Sequence, residues 1–535
     1  MVVPDVPDFR ALTRDLSAHG NRWAIATPHT AATDAGAAAF ERGGNAVDAA
    51  LAAAVTLAVV YPHMCGVGGD LFAVVAEPDG EMVAINSSGR SPAALDVDAV
   101  RRAHREVPQR GPIPVTVPGA VAGWWALLGR GAALGWPSAF ETAIRAAHDG
   151  VPVAPSLAAT LAWDETFASD PGLGALGFPH GRPLSEGDTL EQPALGSTLE
   201  AIAREGPDAM YRGEVGRRYV EGLRALGSAI TTDDLASHAA EILPPLRAAF
   251  RDHHVSVAPP NSQGFVLLQI LSLIERLQLD PDPLGVDAAT IARVFRATGA
   301  DRDRHLADPD AMTAHVSTLL DDGHLAALAD EVRGDMAAPP RRPTGDTIAL
   351  VAIDAGGYAV SLIQSLYNGF GAGILEPSTG IVAHDRGACF VLEPGHPNDL
   401  APAKRPLHTL LPAVVHGGDG RVSAVAGTMG GFAQPQIDAQ ALIRSLVLGS
   451  GAADAVAAPR WLVTGMDRSA GDAGWAVAEA DVPSSVVEAL VGAGFRVDTV
   501  PAGDEGAGHA HLIRSGPDGF DAGTDPRADG SAAAG

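Results

Sequence analysis

The sequence predicts an α+β fold, with helices packed on antiparallel sheets. Three features point there. Long apolar runs with helical character alternate with short strand-like ones. The clearest strands come as hairpins around Gly turns rather than as regular βαβ units. The chain has 535 residues, 46% hydrophobic and 19% charged, enough to bury a large core in one or two domains. No internal repeat is visible.

Each element follows in order. The start, MVVPDVPDFRALTRDLSAHG, has prolines and charges where an export signal needs an apolar run, so a cytoplasmic protein is expected. FERGGNAVDAALAAAVTLAVV reads as a turn and a helix apolar on most of its surface, which predicts burial. Its apolar stretch, residues 49–60, is too short to span a bilayer. PHMCGVGGDLFAVVAE reads as a Gly-rich turn into a strand, and EMVAINSSGRSPAAL as the paired strand and its exit. Residues 113–250 read as mainly helical, interrupted by the loop SDPGLGALGFPHGRPLSEGD. HHVSVAPPNSQGFVLLQILSLIERL is a strand, a Pro-Pro turn and an apolar helix. DAATIARVFRATGADRDRHLADPD is a helix with a solvated, charged end, and residues 321–346 read as a polar, mobile connection. TIALVAID and YAVSLIQS flank Gly356-Gly357 as a hairpin. GRVSAVAGTMGG is a strand running into a small-residue turn, QIDAQALIRSLVLG a helix, and the end gives one strand and a loose tail.

Charge narrows the function. Sixty-four acidic against 37 basic residues leave a net charge of −27, which offers no attraction for phosphate backbones or anionic membranes. No nucleic acid or membrane partner is expected. The two cysteines, Cys65 and Cys389, lie in no metal-ligand spacing, and nothing demands a disulfide between them.

Thr347 opens a strand behind Gly345-Asp346. An ordinary strand threonine is the plain reading of that position. The sharper reading is that the chain is cut there. A threonine at a chain N-terminus carries its own base, an α-amine with a pKa of about 7.7–8.0. The glycines of GTMGG (427–431) could turn two backbone N–H groups toward an oxyanion, or form only a tight turn. CGVGGDLF lacks the Lys-Ser/Thr end of a phosphate loop and reads as a close-packed turn beneath a site. DRDRHLADPD lacks EF-hand spacing. RDHH and HAH have no further metal ligand nearby and read as surface or packing residues. Cys389 in RGACF has no evident base and reads as a small buried residue.

Taken together, these pieces resemble the γ-glutamyltransferase family of N-terminal-nucleophile hydrolases. Nine blocks match in order over almost the whole chain: GGNAVDAALAAAVTLAVVYPHMCGVGGDLF, VTVPGAVAGWWALL, PPNSQGFVLLQIL, DRDRHLADPD, GDTIALVAIDAGGYAVSLIQS, GFGAGILEPSTGIV, KRPLHTLLP, GTMGG and DPRADG. The resemblance implies a four-layer αββα sandwich made as one precursor. Self-cleavage between Asp346 and Thr347 would leave fragments 1–346 and 347–535 intertwined, with a further dimer left open. Thr347 matches the nucleophile, Ser365 a hydroxyl residue bonded to it, and Gly430 and Gly431 the oxyanion-hole pair. The implied reaction is acyl transfer from a small-molecule amide to water or an amine, with no metal or organic cofactor.

Departures from the family bear on the substrate. The Arg that holds the γ-glutamyl α-carboxylate is Ser88 here, with Arg90 two residues on and on the same face if the strand continues. An Asn downstream of the nucleophile is Tyr367. The Gln and Asp that hold the amino end match Arg386 and Cys389, and a Ser-Ser pair matches His408 and Thr409. An ammonium in a desolvated pocket needs a carboxylate partner. The altered pocket therefore predicts an acyl group with a carboxylate but no α-ammonium: a small oxo-acid amide such as oxamate, or a glutaryl-type monoamide. Two alternatives stay open at this level, a true γ-glutamyltransferase or glutathione hydrolase, and an inert, uncut homologue that serves as a binding protein.

Overall fold

The computed structural model describes residues 14–334, 346–464 and 474–535. Most of the export-signal reading and the Gly345 joint lie outside these residues.

Fourteen strands form the two principal sheets. In chain order these are β1 (Ser17–Gly20), β2 (Trp23–Thr27), β3 (Asp70–Ala76), β4 (Met82–Ser87), β5 (Glu241–Leu243), β6 (Leu246–Phe250) and β7 (His253–Val257). After the Asp346 position come β8 (Asp346–Asp354), β9 (Ala359–Tyr367), β10 (Ala413–Gly417), β11 (Val422–Thr428), β12 (Ala510–Gly516), β13 (Gly519–Thr524) and β14 (Ser531–Ala534). One seven-stranded sheet has the order β1-β13-β12-β11-β10-β7-β6, the other β14-β2-β8-β9-β3-β4-β5. All pairings within them are antiparallel. The strand pairing and hairpins expected from the sequence are thus present.

The sheets face each other across an apolar layer that includes Phe72, Val351 and Ile363 from one and Val414, Val425 and Ile513 from the other. Helices cover the outer faces. Helices α1 (Thr30–Glu41), α2 (Ala46–Val60) and α3 (Ala120–Leu128) share a core with the outer side of β3, β8 and β9. Helices α4 (Gly264–Arg276), α5 (Ala288–His305) and α6 (Gln434–Leu446) share another with β10 and β11. This placement explains the sequence pattern. A strand covered on both sides loses the apolar–polar alternation, so the central β8 reads TIALVAID, buried from Thr347 to Asp354. Helix α2 is buried at every position, as expected. Its start is fixed by an Asn45–Asp48 capping box, and the Ala46 N–H donates to Asp354 Oδ2 at 2.7 Å. That bond ties α2 to the end of β8.

Several expectations need correction. The segment read as a mobile connection contains a helix, Asp322–Arg333; its remainder, 335–345, lies outside the described residues. The long 169–188 loop contains the helix Pro171–Gly177. The chain end is not a loose tail, because β12, β13 and β14 complete both sheets. The charged end of α5 is only partly solvated, with Arg304 exposed but its neighbours turned inward. Asp301 and Arg302 are buried, with Asp301 accepting from Gln269 Nε2 (2.8 Å) and Arg302 bonded to the Phe432 carbonyl (3.1 Å). Both charges point inward because polar partners wait there. Strand β4 ends at Ser87, so Arg90 does not continue its face. Cys65 and Cys389 are both buried, and neither is in a disulfide. Among the described residues no helix is long and apolar enough to cross a membrane.

Candidate active site

Three neighbouring strands bring polar side chains to one spot on the inter-sheet face. Asp346 pairs with Tyr367, and Ile348 with Gln364. Two residues of β9, Ser365 and Leu366, therefore stand opposite the single residue Thr347. This bulge re-aims the local side chains. Thr347 is fully buried, and its Oγ1 lies 3.0 Å from Ser365 Oγ. The Tyr367 N–H donates to Ser365 Oγ at 2.8 Å. Tyr367 has φ +82°, a left-handed conformation that costs energy for a bulky residue. Ser365 in turn pairs with Asp70, the first residue of β3. Alternation confirms the shared face, since Ala349, Ile363 and Phe72, each two residues from these positions, all lie in the inter-sheet layer.

The opposite sheet supplies backbone donors. Gly427, near the end of β11, packs against Ala349 and Ser361, so β11 ends near the start of β8. The chain then turns through Gly430 (φ +147°) and Gly431 (φ +53°) before α6. Among the described residues neither N–H makes a hydrogen bond. The turn is pinned from behind. Gln263 Nε2 donates to the Gly431 carbonyl (2.9 Å) and the Thr409 carbonyl (2.7 Å), while Arg302 donates to Gln263 Oε1 (3.2 Å).

A buried cation closes the group. Arg386 is 1% exposed and lies over the Tyr367 ring, with its guanidinium carbon 4.2 Å from the ring centroid. Its Nη1 donates to Thr409 Oγ1 at 3.1 Å and contacts Cys389 Sγ at 3.5 Å. Its Nη2 is buried without a hydrogen-bond partner, and among the described residues no carboxylate forms an ion pair with it. A buried charge with an idle donor is costly unless a ligand fills the gap.

Asp70 lies at the floor. Its Oδ1 accepts from the Gly89 N–H (3.2 Å), and its Oδ2 is 3.1 Å from His408 Nε2. Burial pushes its carboxyl up to about 7 against the lowering effect of Arg386. Burial also drives the imidazole of His408 well below the ordinary histidine value.

Thr347, Ser365, Tyr367, Arg386, Cys389, His408 and Thr409 are thus linked by contacts within one cluster. Arg90 is not. It turns to Asp308 (2.8 Å) and the Ala403 carbonyl (3.0 Å) near the surface. Ser88 is buried in a closed network with Asn86 and Asn261. Asp70, His384, Gln263 and Arg302 were missed from sequence. The signal for Asp70 was a carboxylate opening a wholly apolar strand. Gln263 and Arg302 carried only their matching blocks.

The γ-glutamyltranspeptidase family model matches residues 32–535, which includes the Asp346-Thr347 bond and the Gly430-Gly431 turn. The chain belongs to the γ-glutamyltranspeptidase family. It is an enzyme of that family's hydrolase and acyl-transfer class. It is 37% identical over 534 residues to the oxamate amidohydrolase proenzyme of Klebsiella pneumoniae subsp. pneumoniae, covering 97% of this chain and 99% of that one. It is 36% identical over 521 residues to the glutathione hydrolase-like YwrD proenzyme of Bacillus subtilis, covering 96% and 98%. The crystal structure of cephalosporin acylase from Bacillus halodurans superposes with a TM-score of 0.90 at 31% identity, covering 100% of this chain and 99% of that one. Within the γ-glutamyltranspeptidase family, this likeness establishes the mixed α/β fold over the full chain.

Proposed function

We propose that this protein is a self-processing amidohydrolase whose nucleophile is Thr347, acting on small amides that carry a carboxylate in the acyl part. The Thr347 hydroxyl attacks the preceding carbonyl, and the peptide bond shifts to an ester. Water then cleaves the ester to leave Asp346 with a carboxyl and Thr347 with a free amine. The products, 1–346 and 347–535, stay together as the two intertwined parts of a four-layer αββα sandwich. Support comes from the strands themselves: β8 is central in its sheet and pairs with β2, from the first part of the chain.

In turnover the free amine takes the Thr347 hydroxyl proton while Oγ1 attacks the amide carbon. The Gly430 and Gly431 N–H groups receive the developing oxyanion. The leaving amine departs with the proton, and water hydrolyses the acyl ester on Thr347. Ser365, 3.0 Å from Oγ1, orients the nucleophile.

The observation that carries the substrate class is the idle Nη2 of buried Arg386. A substrate carboxylate is the partner it lacks. Among the described residues near Arg386 an α-ammonium finds no uncommitted carboxylate: Asp385 is taken up by Asn368. Position 389 is a thiol, and both Asp70 oxygens are engaged by Gly89 and His408. Arg386 stacks on Tyr367, whose N–H bonds the Ser365 hydroxyl beside Thr347, and the first reading is a short acyl group of the oxamate type. The name of the Klebsiella relative, an oxamate amidohydrolase, fits this class. A glutaryl-type monoamide is the second reading, since the Arg386 contact is equally suited to its distal carboxylate.

The test is a comparison of oxamate, a glutaryl anilide and a γ-glutamyl anilide on purified enzyme. Turnover of a carboxylated amide without an α-ammonium is expected to exceed that of the γ-glutamyl compound. Arg386→Gln is expected to raise KM about 10- to 100-fold, the worth of one charged hydrogen bond. Preference for the γ-glutamyl anilide, with KM indifferent to Arg386→Gln, would overturn the reading.

A further inference from the structure

We infer that Asp70 is a proton-coupled positioning residue: it takes up one proton from solvent when a substrate carboxylate docks on Arg386, and gives it back when the carboxylate leaves. The inference rests on the reading of Arg386 given above and adds a regulation of that site.

The geometry begins with two histidine tautomers. The Leu410 N–H donates to His408 Nδ1 at 3.4 Å, so the His408 proton sits on Nε2 and is donated to Asp70 Oδ2. His384 Nε2 lies 2.9 Å from the Thr116 carbonyl, which can only accept. The Thr116 hydroxyl, 3.0 Å from the same Nε2, can accept as well, so a proton on Nε2 serves both contacts and leaves the Nδ1 lone pair toward Asp70 Oδ2 at 3.7 Å. That Nδ1 is buried and has no partner. Two electron-rich atoms face each other there, and a proton on the carboxyl removes their repulsion. The cluster thus has a vacant place for one proton.

Charge decides when the proton arrives. The groups acting on Asp70 are His408 and His384 by contact, Arg386 and Arg405 by charge, and the Gly89 and Gly119 backbone donors. The phenols of Tyr211 and Tyr219 also feel the Asp70 charge. With the pocket empty, ionised Asp70 offsets the Arg386 cation. A docked carboxylate takes over that role and places a second anion in the same buried space, where like charges repel strongly. Protonation of Asp70 removes the conflict. Burial holds its carboxyl near about 7 and lowers His384 to about 4, so the entering proton stays on the carboxyl. The sign follows: an anionic ligand favours the protonated form, so its binding weakens as pH rises above the free-site value.

Calorimetric titration of the mature enzyme with oxalate and with glutarate tests this. Runs at pH 8 in phosphate and in Tris, whose ionisation heats differ, count the protons exchanged. We expect uptake approaching one proton per ligand, and affinity falling by up to about tenfold per pH unit above neutrality. Asp70→Asn is expected to bind with no uptake and a flat pH profile. Binding to wild type without proton uptake would overturn the inference and leave the Arg386 reading intact. Failure of both dicarboxylates to bind at millimolar concentration would overturn both readings. The Thr347 α-amine also titrates at about pH 8, so the count is repeated on uncut Thr347→Ala, which has no such amine. Uptake is expected to persist there, and binding without uptake would overturn the inference even if Asp70→Asn does not fold or mature.

Discussion

Thr347→Ala is expected to leave a single full-length chain with no measurable amide hydrolysis. On the proposed mechanism the loss follows from removing one oxygen atom that serves twice, first in chain cleavage and then in turnover. Alanine fits the strand without difficulty, because Thr347 is buried at the start of β8 and its Oγ1 contacts Ser365. The fold should survive, which circular dichroism and thermal melting can check. The rate should fall by on the order of 10⁴–10⁶, the scale on which enzymes lose activity without their nucleophile. Thr347→Ser retains the oxygen and is expected to cut and turn over at a reduced rate. Thr347→Ala with undiminished hydrolysis would remove Thr347 from the mechanism.

Gly430→Ala is the second large effect. Gly430 has φ +147° and ψ 19°, a conformation closed to residues with a side chain. A Cβ there would lie 2.4 Å from Ile437 Cδ1. The turn would have to rotate, and its N–H groups would swing from the place of the oxyanion. Loss of one such donor costs about 10²–10³ in kcat. The effect should fall on kcat rather than KM, since the oxyanion exists only in the transition state. Single-turnover acylation of mature enzyme gives the cleanest reading. A change confined to KM would show that the Gly430-Gly431 turn binds substrate instead.

The sequence made the sheets legible where a local signal existed. The hairpin of β8 and β9 was marked by a glycine pair between apolar runs, and α2 by an apolar surface on every side. Charged stretches misled, because charge alone does not reveal a buried partner. DRDRHLADPD has the composition of a surface segment, yet Arg302 meets Gln263 and Phe432 in the interior. The chain end looked loose because β14 reads SAAA, whose strand character comes only from pairing with β2. At the site, Thr347, Ser365 and the glycine pair stood out through spacing and family pattern. Asp70 and His384 did not, since their meaning depends on strand register and on a loop that returns from a distant part of the chain. Arg90 was an inference from strand alternation, and it failed when the strand ended at Ser87.

The intact mass of freshly purified wild-type protein, measured under denaturing conditions, tests the central claim most directly. Two fragments are predicted, with masses matching residues 1–346 and 347–535 and the smaller beginning at Thr347. An uncut chain that hydrolyses amides, or a cut at any other bond, would contradict an N-terminal threonine as the nucleophile.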